Sequence, residues 1–215
     1  MRLFNGMTKN NTALIVIDII NSCVHEKCEI PEWNIHFQTI RTMVPKLVTF
    51  IDDYRKYINS NVILTTTVPW RKEFLPDNLN ELYKDPKAYY YSKDTTGFAE
   101  EFYLVKPQPT DKVIAKSSYD AFSQTDLDEY LQKRNIKYLI VTGVFTDGCV
   151  MATIINGFAK GYNFVVLKDL IETTDDPERK EIQKYFINRT FPIMYGRTLT
   201  SSDFLQMWQN KLNNY

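Results

Sequence analysis

The sequence contains little glycine, histidine or cysteine. Its seven glycines form neither a G-x-G-x-x-G nor a G-x-x-x-x-G-K-[ST] loop, so the common phosphate-binding patterns are excluded. The two histidines, His25 and His36, are too few for a histidine-rich metal site. The three cysteines, Cys23, Cys28 and Cys149, are odd in number and few for 215 residues, which disfavours a disulfide framework and indicates a reducing compartment.

The sequence also lacks an excess of either charge and any long apolar run. Lys plus Arg and Asp plus Glu number 26 each, so no overall field draws the chain to nucleic acid or to an anionic membrane. No apolar run approaches the ~18 residues of a membrane span, and Met1–Asn11 has no signal-peptide core. We expect a cytoplasmic protein with no nucleic-acid or membrane partner.

The remaining composition is that of an ordinary globular protein, with 44% hydrophobic and 24% charged residues. The length suits one α/β domain and is short for two. Since no internal repeat or linker is visible, we expect a single domain over residues 1–215.

Apolar runs alternate with amphipathic stretches along the chain, and Pro45 is expected to bend or restart the first helix. The predicted strands are Ala13–Ile17, Asn61–Thr67, Val113–Ala115, Tyr138–Thr142, Phe164–Leu167 and Pro192–Tyr195. The predicted helices are Ile35–Ile58, Asp126–Arg134, Gly148–Lys160, Pro177–Asn188 and Ser202–Leu212. Strands that alternate with helices form a parallel sheet covered on both faces. We predict a three-layer α/β/α, Rossmann-like fold with a six-stranded parallel sheet.

The stretch Pro69–Pro109 is long and irregular, with clusters of Pro, Asp and Tyr. A segment of this length in a compact domain is usually a functional loop or lid. Its Tyr89-Tyr90-Tyr91 run is a candidate either for a lid over a pocket or for a subunit contact.

Reactive side chains fall at the ends of three predicted strands. Asp18 follows the first strand, Lys116 follows the third, and Cys149 follows the fourth after a short turn. In parallel sheets the chemistry sits at the carboxyl ends of the strands. Taken singly, each residue has a plain explanation: a buried thiol, a turn carboxylate and a solvated ammonium. Together they predict one reactive crevice.

These three residue types suit nucleophilic catalysis. A thiol at a helix start, next to an ammonium, is expected to have a lowered pKa and to form a thiolate. A carboxylate within hydrogen-bond reach can take the thiol proton and later return one to a leaving group. Backbone N–H groups of the turn before Cys149 can bind a developing oxyanion.

Three stretches resemble motifs of the isochorismatase-like cysteine hydrolases. The sequence from Gly143 to Val150 is similar to the G-V-x-T-x-x-C-V nucleophile turn of that family. The sequence from Val113 to Phe122 resembles V-I-x-K-x-x-x-S-A-F, and Asp18–Asn21 resembles D-x-Q-N. The resemblance runs from Thr12 to about Phe204.

The resemblance implies a triad of Asp18, Lys116 and Cys149, a cis peptide between Val144 and Phe145, and an oxyanion hole at Phe145 and Cys149. Arg71 could pair with a substrate carboxylate, or it could be an ordinary surface arginine. Tyr119 and Phe122 are either pocket-wall or core residues. The full set of expected pocket residues is Cys23, Trp70, Arg71, Tyr119 and Phe122.

The sequence departs from the family pattern near the first strand and after the second. The usual glutamine is Ile20 here, and Cys23 replaces an aromatic. Nicotinamidases of the superfamily bind a metal through an Asp and histidines just after the second strand, and Thr67–Arg71 contains none of these residue types. Nicotinamidase is therefore disfavoured, and we expect neither metal nor cofactor. Cys23-x-His25-x-x-Cys28 lacks a fourth zinc ligand, so we interpret it as a coincidental cluster.

The resemblance implies a metal-independent hydrolase that cleaves an amide or ureido C–N bond of a small molecule through a thioester. One alternative is an isochorismatase that cleaves a vinyl ether, in which the aspartate protonates the substrate. Another is a catalytically silent binding or scaffold protein that keeps the fold. Alkylation of Cys149 and an assay of amides against isochorismate would separate these readings.

We predict a homo-oligomer, a dimer or larger, because the chain is rich in aromatic residues, carries no net charge, and resembles a family that commonly assembles. Light scattering at micromolar concentration is expected to give a multiple of 25.3 kDa. A monomeric mass under those conditions would contradict this expectation.

Overall fold

The computed structural model describes residues 3–88 and 91–212. Within these residues six strands form one all-parallel sheet in the order β3-β2-β1-β4-β5-β6, which confirms the predicted fold class. The strand order reverses between β1 and β4, and ligands of such sheets bind in the crevice at this reversal. The strands are β1 Thr12–Ile17, β2 Val62–Thr67, β3 Lys112–Lys116, β4 Tyr138–Val144, β5 Asn163–Glu172 and β6 Gly196–Leu199.

Helices cover both faces of the sheet. None of the described helices is long and apolar enough to cross a membrane. The α-helices of the described residues are α1 Asn21–Val24, α2 Gln38–Tyr57, α3 Asp77–Leu82, α4 Leu127–Lys133, α5 Met151–Ala159, α6 Pro177–Tyr185 and α7 Ser201–Leu212.

The central strand β1 is buried along its whole length. Successive strand side chains point to opposite faces, so Leu14 and Val16 pack with α2 and α7, while Ile15 and Ile17 pack with α4 and α5. A strand buried on both faces must be apolar at every position, which explains the continuous hydrophobic run in the sequence.

Helix α2 continues through Pro45, where the sequence predicts a bend or restart. Pro45 lies on the exposed face, opposite an apolar stripe that includes Ile40, Leu47 and Tyr54. Burial of that stripe against the sheet outweighs the one backbone hydrogen bond that a proline removes.

The last strand is not where the sequence places it. The predicted strand Pro192–Tyr195 is wrong, because these residues end a wide π-helical turn, Phe186–Tyr195, and the strand is Gly196–Leu199. Pro192 has no N–H to give to a sheet, and Ile193 is 70% exposed. The first residue of this strand, Gly196, has no room for a side chain, because a Cβ there would lie 2.3 Å from the Phe164 carbonyl oxygen.

The long segment after β2 is more ordered than its sequence indicates. It contains α3 and a 3-10 turn, Lys72–Phe74. Tyr89 and Tyr90 of the proposed lid lie outside the described residues. Tyr91 donates a hydrogen bond to Asn80 Oδ1 at 2.8 Å, which ties it to α3.

Two glycines with positive φ give a matched test of how closely β4 approaches β1. Gly143 (φ 108°) pairs with Ile17 across β4 and β1, and a Cβ there would lie 2.1 Å from the Ile17 carbonyl oxygen. Gly161 (φ 95°) has open space around the same position. In urea unfolding we expect Gly161→Ala to cost about 1–2 kcal/mol and Gly143→Ala about 1–3 kcal/mol more. Equal losses would show that the close approach of the two strands is unimportant.

Candidate active site

Three reactive side chains meet at the carboxyl edge of the sheet. Asp18 follows β1, Lys116 is the last residue of β3, and Cys149 lies in the turn after β4. Lys116 Nζ is 2.7 Å from Asp18 Oδ2 and 3.4 Å from Cys149 Sγ. Since β1 and β4 flank the reversal of strand order, the cluster lies in the crevice expected of this fold.

Lys116 is a buried cation with every donor in use. Its side chain is 1% exposed, and besides Asp18 and Cys149 it donates to the Ser118 carbonyl at 3.1 Å. Burial opposes the charge of the ammonium, but the attraction of Asp18 and then of Cys149 outweighs it and raises the pKa of Lys116. An ammonium has three donors, so these three contacts fix its position.

Asp18 is held from two sides. Its backbone N–H donates to Thr65 Oγ1 at 3.0 Å, and Thr65 Oγ1 donates back to Asp18 Oδ1 at 2.6 Å. Asp18 has φ 52°, a left-handed conformation that Asp and Asn adopt more readily than most residues. Thr65 is not among the residues predicted from the sequence, although a polar residue within the buried part of β2 is a signal for it.

Cys149 does not lie in the regular helix that the sequence predicts there. The helix α5 begins at Met151, and Thr146–Val150 form a wide turn in which Gly148 is non-helical (φ −128°, ψ −109°). The Phe145 carbonyl accepts from the N–H groups of Gly148 (2.9 Å) and Val150 (3.1 Å), which flank Cys149. The peptide bond between Val144 and Phe145 is cis.

The Cys149 thiol is neutral at rest, contrary to the lowered pKa expected from the sequence. Burial is the main cause that raises its pKa to about 12; Lys116 opposes this effect and Asp18 adds to it. Because Asp18 Oδ2 and Cys149 Sγ both contact Lys116 Nζ, at 2.7 Å and 3.4 Å, the carboxylate lies near the thiol. The cluster therefore contains a protonated thiol near a carboxylate, rather than a preformed thiolate.

Aromatic side chains from the segments after β2 and β3 pack against one another. Trp70 donates from Nε1 to the Tyr83 hydroxyl at 2.8 Å, and its ring stacks with Tyr119 at 6.1 Å. Burial raises the pKa of Tyr83, and the neighbouring Tyr119 adds to the rise. Tyr83 is not predicted from the sequence, because no motif distinguishes it from the other tyrosines.

The other expected pocket residues divide into two groups. Cys23 is a half-buried residue of α1, which begins three residues after Asp18, and burial and then the charge of Asp18 raise its pKa. Arg71 is instead paired with Glu73 at 3.3 Å. Phe122 is 5% exposed and lies in the core, stacked on Tyr162.

The described residues contain no group of three His, Cys, Asp or Glu side chains arranged to hold a metal ion. In the Cys23-x-His25-x-x-Cys28 stretch, His25 Nδ1 accepts from the backbone N–H of Lys27 at 3.1 Å, and its ring packs edge-on against Phe98. These contacts account for His25 as a structural residue.

With the fold and the cluster in place, comparison with known proteins identifies the family. The Isochorismatase domain model matches residues 12–202. The chain belongs to the isochorismatase family.

Individual relatives cover the chain to different extents. The ureidoacrylate amidohydrolase RutB of Enterobacter sp. (strain 638) is 38% identical over 98 residues, which are 46% of this chain and 41% of that protein. An isochorismatase family protein from Burkholderia thailandensis has a TM-score of 0.75 at 24% identity, over 93% of this chain and 96% of the other. N-carbamoylsarcosine amidase from Thermoplasma acidophilum has a TM-score of 0.63 at 21% identity, over 91% and 97%. The two structural likenesses establish the fold.

The pH dependence of Cys149 alkylation tests the electrostatics of the cluster. The negative charge of Asp18 raises the pKa of Cys149, so Asp18→Asn should lower the midpoint of the rate–pH curve by about 1 unit or more. Lys116 lowers that pKa, so Lys116→Met should shift the midpoint upward. The rate is measured with iodoacetamide and peptide mass mapping of Cys149. Midpoints that do not move in opposite directions would contradict this account.

Proposed function

We propose that the protein is a metal-independent cysteine hydrolase that cleaves an amide or ureido C–N bond of a small molecule. The observation that carries this proposal is the contact of Lys116 Nζ with both Asp18 Oδ2 (2.7 Å) and Cys149 Sγ (3.4 Å) at the strand-order reversal. A nucleophile, a proton acceptor and a fixed cation are the groups that acyl transfer to a thiol requires.

In the first half of the reaction Cys149 Sγ attacks the substrate carbonyl carbon. The thiol proton moves to Asp18 as the C–S bond forms, and the Lys116 ammonium stabilises the anionic sulfur. The tetrahedral oxyanion is bound by the backbone N–H groups of Phe145 and Cys149. Asp18 then protonates the leaving nitrogen, the C–N bond breaks, and a thioester remains on Cys149.

In the second half water resolves the thioester. Asp18, now a carboxylate again, accepts a proton from water as its oxygen attacks the thioester carbonyl carbon. The C–S bond breaks, the acid product leaves, and Cys149 regains its proton. Because the thiol is neutral between turnovers, the ionisation step is coupled to substrate binding.

The choice of a C–N bond is supported by the relatives. RutB is named a ureidoacrylate amidohydrolase, and one structural neighbour is an N-carbamoylsarcosine amidase. The matched part is 41% of the length of RutB, so the substrate proposed for this chain is a class, small amides and ureides, rather than ureidoacrylate itself.

The proposed pocket wall combines Cys23 and the aromatic group of Trp70, Tyr83 and Tyr119. Cys23 belongs to α1, which begins three residues after Asp18; Trp70 and Tyr83 come from the segment after β2, and Tyr119 comes from the segment after β3. Arg71 is paired with Glu73, so we assign it no carboxylate-binding role. The chemistry uses residues of one protomer, and the proposal treats residues 1–215 as one hydrolase domain.

Replacement of the three cysteines tests the proposal. On an amide found by screening small amides and ureides, Cys149→Ser should lower kcat by at least ~10³-fold, about 4 kcal/mol of barrier, because a hydroxyl is a much weaker acid and nucleophile than a thiol and Asp18 is too weak a base to activate it. Cys28→Ser, away from the cluster, should be nearly silent, and Cys23→Ser should affect mainly KM. The measurement is steady-state kinetics of the purified variants.

A rate for Cys149→Ser above about a tenth of the wild-type value would exclude covalent thiol catalysis. Isochorismate is included in the same screen. Turnover of isochorismate alone, retained in Cys149→Ser and lost in Asp18→Asn, would replace amide hydrolysis by vinyl-ether cleavage with Asp18 as the acid. A protein inert on the whole screen would favour the silent binding role.

A further inference from the structure

The turn that carries Cys149 is held from outside the cluster by a paired arginine. Asp147 lies two residues before Cys149. Arg179, in α6, donates from Nε to Asp147 Oδ2 at 2.6 Å and from Nη2 to Asp147 Oδ1 at 2.8 Å. Thr173 Oγ1 donates to the same Oδ1 at 2.5 Å. The Asp147 carboxylate thus accepts two hydrogen bonds from the Arg179 guanidinium and one from the Thr173 hydroxyl.

Arg179 is itself fixed at the start of α6. The Asp176 carboxylate caps this helix and accepts from the backbone N–H of Arg179 at 3.1 Å. Arg179 Nη1 also donates to Thr174 Oγ1 at 3.3 Å. The guanidinium lies 5.1 Å from the centre of the Phe145 ring. Arg179 therefore contacts the turn at Phe145 as well as at Asp147.

Burial makes this ion pair more than a surface contact. The Arg179 and Asp147 side chains are 20% and 11% exposed, whereas those of the pair Lys84–Glu81 are 71% and 72% exposed. Two parallel hydrogen bonds from a guanidinium fix direction as well as distance. Removal of one partner would leave a largely buried charge uncompensated, which is strongly destabilising to the local arrangement.

We propose that Arg179 is a positioning residue that holds the Cys149 turn, through Asp147 and Phe145, so that the thiol faces Lys116 and Asp18. The catalytic consequence rests on the proposed function, whereas the mechanical role does not. The turn has no regular helix to support it before Met151, so the position of Cys149 Sγ depends on the Phe145 carbonyl within the turn and on the external contacts of Asp147. A misplacement of about 1 Å at a reacting atom can cost about 10²-fold in rate.

The test compares Arg179→Lys with Arg41→Lys. Arg41 pairs with Glu29 at 2.7 Å and has a similar exposure, 23% for its side chain, but it does not contact the Cys149 turn. A lysine keeps the positive charge but cannot form the two parallel hydrogen bonds to Asp147. In Arg179→Lys we therefore expect kcat to fall by about tenfold or more with little change in KM. Release of the turn exposes the thiol, so alkylation of Cys149 by iodoacetamide at pH 7 should become several-fold faster. Arg41→Lys should match the wild type in both measurements.

Opposite changes in turnover and alkylation distinguish positioning from a loss of stability, which is monitored separately by thermal unfolding. Equal alkylation rates in Arg179→Lys and Arg41→Lys, or an unchanged kcat in folded Arg179→Lys, would overturn the proposal. If Arg179→Lys does not fold, Asp147→Asn, which keeps the side-chain size, is judged by the same criteria. If the wild type hydrolyses no amide, the proposed function fails, and the alkylation contrast alone decides the role of Arg179.

Discussion

The buried ion pair of Asp18 and Lys116 is the constraint on which the rest of the site depends. Two side chains that are each 1% exposed have lost their hydration, and attraction between them offsets that cost only if the remaining donors and acceptors are also satisfied. Lys116 meets this condition with three partners, and Asp18 meets it through Thr65. These contacts form only if the carboxyl ends of β1, β2 and β3 lie at the same level of the sheet.

Cys149 reaches the ion pair from the turn after β4, on the other side of the strand-order reversal. Its turn follows β4 and receives support from three places: the Phe145 carbonyl within the turn, Thr173 just after β5, and Arg179 in α6. The charged pair is thus positioned by the strands of the sheet, while Cys149 is positioned by a turn that contacts at its outer edge hold in place.

Much of this organisation is predictable from the sequence, and the failures have physical causes. The continuous apolar runs predict the buried strands, and the motifs around Asp18, Lys116 and Cys149 predict which side chains converge. The sequence misplaces β6 because the apolar side chain of Ile193 suggests a buried strand, whereas in the structure it is exposed. It also gives the wrong sign for the pKa of Cys149, because burial depends on the packing of the whole crevice and outweighs the single lysine that the motif reveals. A polar residue inside a buried strand marks Thr65 as unusual, but its partner Asp18 lies 47 residues away in the chain, so the sequence does not reveal the contact.

The neutral resting state of Cys149 has a consequence for chemical durability. Peroxides and other oxidants attack thiolates far faster than thiols, and sulfenic acid formation follows thiolate character and exposure. On the proposed mechanism Cys149 ionises only as it attacks the substrate, so it presents little thiolate to such oxidants between turnovers. The burial that raises the pKa of Cys149 therefore also disfavours its oxidation to sulfinic acid.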